Sequence, residues 1–246
     1  TKANLFFAQG VILVEGDAEN LVIPAIAEII DKPLVRYGVS IVNVGSTAFL
    51  RYAKIFRRKD PSSGTIDIPV AIITDNDLKP DTYKQVKPDA RTISDINLNE
   101  YRENKAKYYD GQKVKAFISP LWTFEYDLAL GSFTKEIYQA ILYAKAIQHS
   151  ERIGLTENKI QEINNKVDSD LKNWEAAGWN AERIAFEIYH NIMLDDKVSK
   201  AITAQCFAKI LIETEDRDAL KVRILGDSNI QYIVDAINYV TRSEGN

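Results

Sequence analysis

Cysteine and histidine, which stabilise many small folds through disulfides or bound zinc, are scarce in this chain. A single cysteine, Cys206, excludes an internal disulfide and leaves no paired-cysteine framework for zinc. Only two histidines, His149 and His190, are present, so zinc ligation has little support. No apolar run approaches the roughly 18 residues that a membrane span needs, and no secretory signal opens the chain. We therefore expect a cytoplasmic protein with no membrane partner.

Two further absences bear on how complete the chain is. Its only methionine is Met193, and it contains no Gly-x-x-x-x-Gly-Lys-[Ser/Thr] phosphate loop. We expect the 246 residues to be one part of a longer protein. The net charge of -4 gives no global sign of nucleic-acid binding, although a DNA-binding surface can be local.

Four apolar runs alternate with helical patterns in the first half of the chain. The runs are "GVILVEG" (10–16), "VSIVNVGS" (39–46), "IPVAIITDND" (68–77) and a strand beginning "KAFIS" (115–119). Continuous apolar strands that alternate with helices predict an α/β fold, in which helices flank a mostly parallel sheet. Helical spacing also follows the second run, in "TAFLRYAKIFRRK" (47–59), whereas residues 79–104 are polar and rich in turn formers.

The composition changes near residue 132, because only helical periodicity follows as far as residue 195. We expect 1–132 to form the first part of a catalytic core and 133–195 to be a helical insertion or subdomain. Residues 196–246 contain two good helical patterns, and we expect these helices to complete the core.

Acidic side chains follow three of the four predicted strands: Glu15 and Glu19, then Asp75 and Asp77, then Glu125. Ligands of a parallel sheet bind at the carboxyl ends of its strands, so these acids are expected to converge. Asp75 and Asp77 would point to the same side of an extended chain. Converging carboxylates repel one another, and a hard cation such as Mg²⁺ or Mn²⁺ relieves that repulsion. A single acid at a strand end is more commonly a turn former or a helix cap, and Asp17 is well placed to cap the first helix.

Two groups of cations are candidates for binding phosphate. If Ser199 caps its helix, Lys200 lies in the first turn, where the helix dipole disfavours a cation. This placement favours a role such as holding a phosphate oxygen, and an idle surface lysine is the alternative. A basic face on a predicted helix is formed by Arg51, Lys54 and Arg58, which would either bind the DNA backbone or remain solvated.

The pair Gly45-Ser46 follows the second strand. It either lets a phosphate approach the backbone or forms a tight turn.

Two acidic segments, "VILVEGDAE" and "AIITDND", resemble the two signature motifs of TOPRIM domains, which topoisomerases, primases and several nucleases share. The resemblance extends to the overcoming-lysogenization-defect (OLD) family of nucleases in "VNVGSTAFLRYAKIF", "LWTFEYDLAL" and "SKAITAQCFAKIL". It implies a Rossmann-like TOPRIM core. It also implies that Glu15 and Asp75 take part in catalysis, that Glu125 joins the metal site and that Lys200 is the catalytic lysine.

The function that this resemblance implies is a DNA endonuclease that works with two divalent cations, Mg²⁺ or Mn²⁺. The metal ligands would be Glu15, Glu19, Asp75, Asp77 and Glu125. Family members carry an ABC-type ATPase region before the TOPRIM region, and a UvrD-like helicase is a partner in one class. Phage defence and DNA repair are the roles that membership implies.

Two other functions remain open. One is a TOPRIM module that binds DNA or a partner without catalysis. The other is a phosphatase of the haloacid-dehalogenase type, in which the first acid of Asp-x-Asp is a nucleophile. A Thr or Val usually stands two residues after the second aspartate there, and Lys79 occupies that position here.

Overall fold

The four apolar runs form four parallel strands at the centre of the molecule. The computed structural model describes residues 5, 7–45, 48–150 and 154–242. The strands are β1 (Gly10–Val14), β2 (Val39–Asn43), β3 (Val70–Thr74) and β4 (Val114–Ile118). Their order in the sheet is β2–β1–β3–β4, and every neighbouring pair is parallel. The predicted α/β class with a parallel sheet is therefore confirmed.

Helices cover both faces of the sheet. In the described part of the chain they are α1 (Asp17–Ile29), α2 (Phe49–Ala53), α3 (Leu98–Tyr109), α4 (Phe124–Leu130), α5 (Thr134–Gln148), α6 (Glu157–Ala176), α7 (Ala181–Phe186), α8 (Lys200–Ile212), α9 (Arg217–Gly226) and α10 (Gln231–Val240). A π-helical segment, Glu187–Leu194, continues α7. Short 3₁₀ turns form at Leu34–Tyr37, Lys54–Phe56, Pro61–Ser63, Asp81–Gln85 and Ile93–Asp95. None of the described helices is long and apolar enough to cross a membrane.

The side chains of each strand alternate between two apolar layers, because successive residues of a strand point to opposite faces. Ile12 and Ile73 belong to the layer that contains α1, α8 and α10. Leu13 and Ile72 belong to the opposite layer, where Phe49 of α2 is buried against them. Burying one such side chain contributes about 1.5–3 kcal/mol, so both layers hold the sheet firmly.

The helices between residues 133 and 195 join the layer on the α1 side. Ile141 of α5, Val167 of α6 and Ile188 of the π-helical segment are buried in the same apolar cluster as Val22 of α1. This packing connects the helical region to the sheet by way of α8. The boundaries of 132 and 195 remain a prediction.

Two local predictions are wrong. The helix expected over 47–59 ends much earlier, because α2 stops at Ala53, a 3₁₀ turn reaches Phe56 and Arg57 is extended. The segment 79–104 contains the start of α3, which was not expected. This helix buries none of its residues fully, and its half-buried face mixes Arg102 and Lys105 with Ala106 and Tyr109, so the apolar periodicity by which a helix is recognised is weak.

Candidate functional site

The sheet order brings the ends of three strands together. Because β3 lies between β1 and β4, the residues that follow these strands meet at one edge of the sheet. A cavity of about 230 Å³ opens there. Four predicted acids and the predicted lysine line it: Glu15, Glu19, Asp75, Glu125 and Lys200.

Glu15 leaves the end of β1 and lies half-buried. Its carboxylate accepts a hydrogen bond from the hydroxyl of Thr74, the last residue of β3. Burial raises the pKa of Glu15, and the nearby charge of Asp77 raises it further. The Thr74 hydroxyl and the Lys105 ammonium act in the opposite direction. Glu15 is thus held by the neighbouring strand and faces charges of both signs.

Glu19 and Asp75 are the acids whose ionisation the fold opposes most clearly. Glu19 is only 5% exposed in the first turn of α1, and burial, with the charge of Glu125, raises its pKa to about 7. Asp75 accepts a hydrogen bond from the backbone N–H of Phe124 at 3.0 Å. Burial raises the pKa of Asp75 well above its usual range, and the charges of Glu125 and Glu19 add to this effect. The carboxylates are therefore close enough to oppose one another's ionisation.

Glu125 and Lys200 form an ion pair across the cavity. Glu125 lies in the first turn of α4 and is 3% exposed, and Lys200 Nζ is 2.9 Å from its Oε2. Ser199 caps α8 by accepting a hydrogen bond from the N–H of Ile202, as predicted. Burial acts to lower the pKa of Lys200, but Glu125, Tyr189 and Asp75 together outweigh it, and the pKa is raised. Lys200 is therefore a fixed cation, compensated by an acid.

Asp77 does not line this cavity, so the structure separates it from the other four acids. The chain turns after β3, and Asp77 adopts a left-handed backbone conformation with φ of 62°. Its carboxylate is 70% exposed and lies 3.4 Å from the ammonium of Lys105. The expectation that Asp75 and Asp77 share one side of an extended strand is wrong, because the backbone is not extended there.

Lys105 is a residue of the site that the sequence did not indicate. It belongs to α3, and its ammonium also binds the backbone carbonyl of Asp75. Its side chain is only 20% exposed. The only signal in the sequence would have been a helix that starts near Leu98, but its inner face is only half-buried and mixes Ala106 and Tyr109 with charged residues.

The predicted phosphate-binding residues have different surroundings. Gly45 has a φ of +67°, and its N–H binds the Asn43 side chain at 3.0 Å, so a turn follows β2. Ser46 lies outside the described residues. Asp17 does not cap α1, since Gly16 holds that position and the Asp17 carboxylate binds the side chain of Asn43.

The predicted basic face does not form on one helix. Arg51 is exposed on α2, and Lys54 is exposed in the following 3₁₀ turn. Arg58 lies beyond both, where its guanidinium donates to the carbonyl of Ser63 at 2.8 Å. The expectation of a shared helical face is wrong for Arg58, because the helix has already ended.

The donor set is chemically suited to a hard divalent cation. All five acids offer oxygen ligands, and the raised pKa values of Glu19 and Asp75 show negative charges that a cation would stabilise. Among the residues with described positions, no group of three or more His, Cys, Asp or Glu side chains is arranged to hold a metal ion. Ligation would therefore require side chains to turn away from partners such as Thr74 and Lys200.

Comparisons with known proteins agree with the fold and the motifs. Residues 6–77 match the model of the overcoming lysogenization defect protein-like TOPRIM domain. The C-terminal region of the Xanthomonas campestris pv. campestris OLD protein is similar with a TM-score of 0.52 and 21% identity, over 97% of this chain and 94% of that chain. The C-terminal region of the Burkholderia pseudomallei OLD protein gives a TM-score of 0.47 and 23% identity, over 96% and 98%. No curated protein sequence matches the chain.

The matched residues 6–77 include β1, β2 and β3 together with Glu15, Glu19, Asp75 and Asp77. The structural likeness to the Xanthomonas region extends over almost the whole chain and concerns its fold. Residues 6–77 therefore match an OLD-like TOPRIM domain, and the fold of the chain is similar to that of the C-terminal region of an OLD protein.

Proposed function

We propose that this chain is the catalytic part of a DNA endonuclease that depends on divalent metal ions. The observation that carries the proposal is the cavity at the carboxyl edge of the sheet, which four acids and a lysine share. Acids that oppose one another's ionisation are an unfavourable arrangement unless a cation relieves it.

Five residues would hold two Mg²⁺ or Mn²⁺ ions: Glu15, Glu19, Asp75, Asp77 and Glu125. When bound, such ions supply an activated water and stabilise charge on the scissile phosphate. The four cavity acids are placed to act together, whereas Asp77 would approach from the outer side of the Asp75 turn.

The residues of the chain have their own roles in this proposal. Lys200 holds a phosphate oxygen as negative charge develops there. In the absence of metal, Glu125 keeps Lys200 at the cavity through their ion pair, and Glu125 is itself positioned by the first turn of α4. The N–H of Phe124 donates a hydrogen bond to the Asp75 carboxylate, and this bond holds the carboxylate in one position.

The wider setting is part of the same proposal. An ABC-type ATPase region would precede this chain in the same polypeptide, DNA would be the substrate, and a UvrD-like helicase would be a partner in phage defence or DNA repair. These partners come from the resemblance to the OLD family.

A non-catalytic TOPRIM module is the second candidate function. It is favoured by the lack, among the described positions, of any three side chains already arranged around a metal ion. A phosphatase that uses Asp75 as its nucleophile is disfavoured. One oxygen of the Asp75 carboxylate already accepts a hydrogen bond from the N–H of Phe124, which restricts its approach to a phosphorus atom as a nucleophile.

Plasmid cleavage with Mg²⁺, Mn²⁺ or EDTA tests the proposal. Asp75→Asn should lower the rate by at least about a hundredfold, the usual scale for losing a group that stabilises charge in the transition state. Asp218→Asn, an exposed acid in the first turn of α9, is the matched control and should cleave normally. Metal-independent cleavage, or equal rates for both variants, would contradict the proposal. DNA binding without cleavage in either metal would establish the non-catalytic module.

A further inference from the structure

A second cavity opens beside the one lined by Glu15, Glu19, Asp75, Glu125 and Lys200, which we call the acid cavity. The second cavity is lined by more cations than acids. Its volume is about 350 Å³, and Asp77, two residues from the acid-cavity residue Asp75, lines it. The other charged or aromatic side chains around it are Lys79, Lys87, Asp89, Arg91 and Tyr101. We call this cavity the basic cleft, because three cations and two carboxylates line it.

The cations of the basic cleft are available to a ligand. No ion pair is formed by Lys79, Lys87 or Arg91 within the described ranges, whereas Lys84 of the same segment pairs with Asp95 at 2.9 Å. Lys87 and Arg91 are exposed. The Lys79 ammonium lies 4.2 Å from the centre of the Tyr83 ring, and this cation–π contact does not neutralise its charge.

The segment that carries these cations is held in a defined shape. Thr92 is fully buried, and its hydroxyl binds the carboxylate of Asp95 at 3.1 Å while the Thr92 N–H binds the same carboxylate at 2.8 Å. The N–H of Ile93 donates to the carbonyl of Lys79 at 3.1 Å. This bond holds the two ends of the segment together, so Lys79 and Arg91 lie on neighbouring stretches of backbone.

We propose that the basic cleft binds the phosphodiester backbone of the DNA strand next to the scissile phosphate. Lys79, Lys87 and Arg91 contact phosphates, and Tyr101 packs against a sugar or a base. This inference rests on the proposed nuclease function and deepens it, since it identifies where the substrate strand leaves the acid cavity. The contacts are to backbone groups, so they contribute affinity without sequence preference.

The inference is tested by DNA binding without metal and by cleavage kinetics. The test variant is Lys87→Gln/Arg91→Gln, which removes two exposed charges from the cleft. The matched control is Lys172→Gln/Arg217→Gln, which removes two exposed charges from α6 and α9. Anisotropy of labelled DNA is followed in EDTA as the salt concentration is raised, and the thermal midpoint of each variant checks its folding.

The cleft variant should lower the slope of log affinity against log salt by about 2, because each lost phosphate contact changes the slope by roughly 0.9. In cleavage assays its KM should rise about tenfold or more with an unchanged kcat, since the contact is equal in the ground and transition states. The control should match the wild type in both assays. A third variant, Arg51→Gln/Lys54→Gln, measures the alternative surface formed by α2 and the 3₁₀ turn that follows it.

The outcomes separate this inference from the proposed function. If the wild type cleaves DNA and the cleft variant keeps its KM and salt slope, or if the α2 variant loses more affinity, the cleft inference is overturned and the nuclease stands. If the wild type binds DNA through the cleft but never cleaves it, the nuclease proposal fails alone. If the wild type does not bind DNA, both fail.

Discussion

Glu19 should make the stability of this protein depend on pH, and Glu19→Gln isolates that dependence. Its side chain is 5% exposed, and burial raises its pKa from 4.5 to about 7. At about 1.4 kcal/mol per pKa unit, this shift corresponds to roughly 3 kcal/mol. The folded state binds the proton more tightly than the unfolded state does. Stability should therefore fall as the pH rises from about 4.5 to about 7, and the full penalty should remain above that range.

Glu19→Gln removes the ionisable group and keeps a side chain of similar shape. In EDTA at about pH 8, we expect the free energy of unfolding of the variant to exceed that of the wild type by up to about 3 kcal/mol. This corresponds to a thermal midpoint up to about 6–12 °C higher. Near pH 4.5 the two proteins should be about equally stable. Urea unfolding followed by circular dichroism across this pH range measures the difference.

The matched control is Glu28→Gln, on an exposed position of the same helix, and it should leave the pH profile unchanged. The reasoning is refuted if Glu19→Gln and the wild type are equally stable near pH 8. A difference that does not vary with pH would refute it as well. Added Mn²⁺ should stabilise the wild type more than the variant, because the cation relieves the charge that Gln lacks.

Three further changes have defined outcomes. Lys105→Met removes a cation that competes with metal for the exposed Asp77, so calorimetry should show Mn²⁺ binding up to about fivefold more tightly. Weaker Mn²⁺ binding would contradict this prediction. Lys200→Met leaves the buried Glu125 without its cation, so cleavage should be lost and the free energy of unfolding near pH 8 should fall. Normal plasmid cleavage by this variant would exclude Lys200 from the site. Asp227→Ala removes an acceptor of two backbone N–H groups and one hydroxyl, so the free energy of unfolding in urea should fall by about 1–3 kcal/mol. A variant as stable as the wild type would show that water replaces the carboxylate as the acceptor.

The two central strands could be predicted because each is a short apolar run that is buried on both faces. All five residues of β1 and of β3 are buried, and Thr74 at the end of β3 is the one polar residue among them. The acids after them were recognisable as a set, because turns and helix caps explain a single acid at a strand end but not acids that follow three strands of one parallel sheet. What the sequence could not show is the turn after Thr74, which sends Asp75 into the cavity and Asp77 outward.

The contribution of α3 could not be predicted for a different physical reason. The half-buried face of this helix mixes apolar residues, Ala106 and Tyr109, with polar ones such as Arg102, which donates to the carbonyl of Ile118 at 3.0 Å. A face of such mixed composition gives only a weak apolar pattern in the sequence. Lys105 therefore becomes recognisable as a site residue only when the fold brings α3 beside the Asp75 turn. The end of α2 was misjudged because helical spacing continues through residues that bind a neighbouring loop instead.

The hydrogen bond from the N–H of Phe124 to the carboxylate of Asp75 joins two parts of the site into one unit. Glu125 is the next residue, so the backbone of α4 fixes how far the two acids lie from each other. A change of charge at position 75 leaves this spacing intact, whereas a change of side-chain length alters it. Asp75→Asn therefore changes the charge of the pair and keeps the distance between the two side chains. Asp75→Glu keeps the charge and changes that distance.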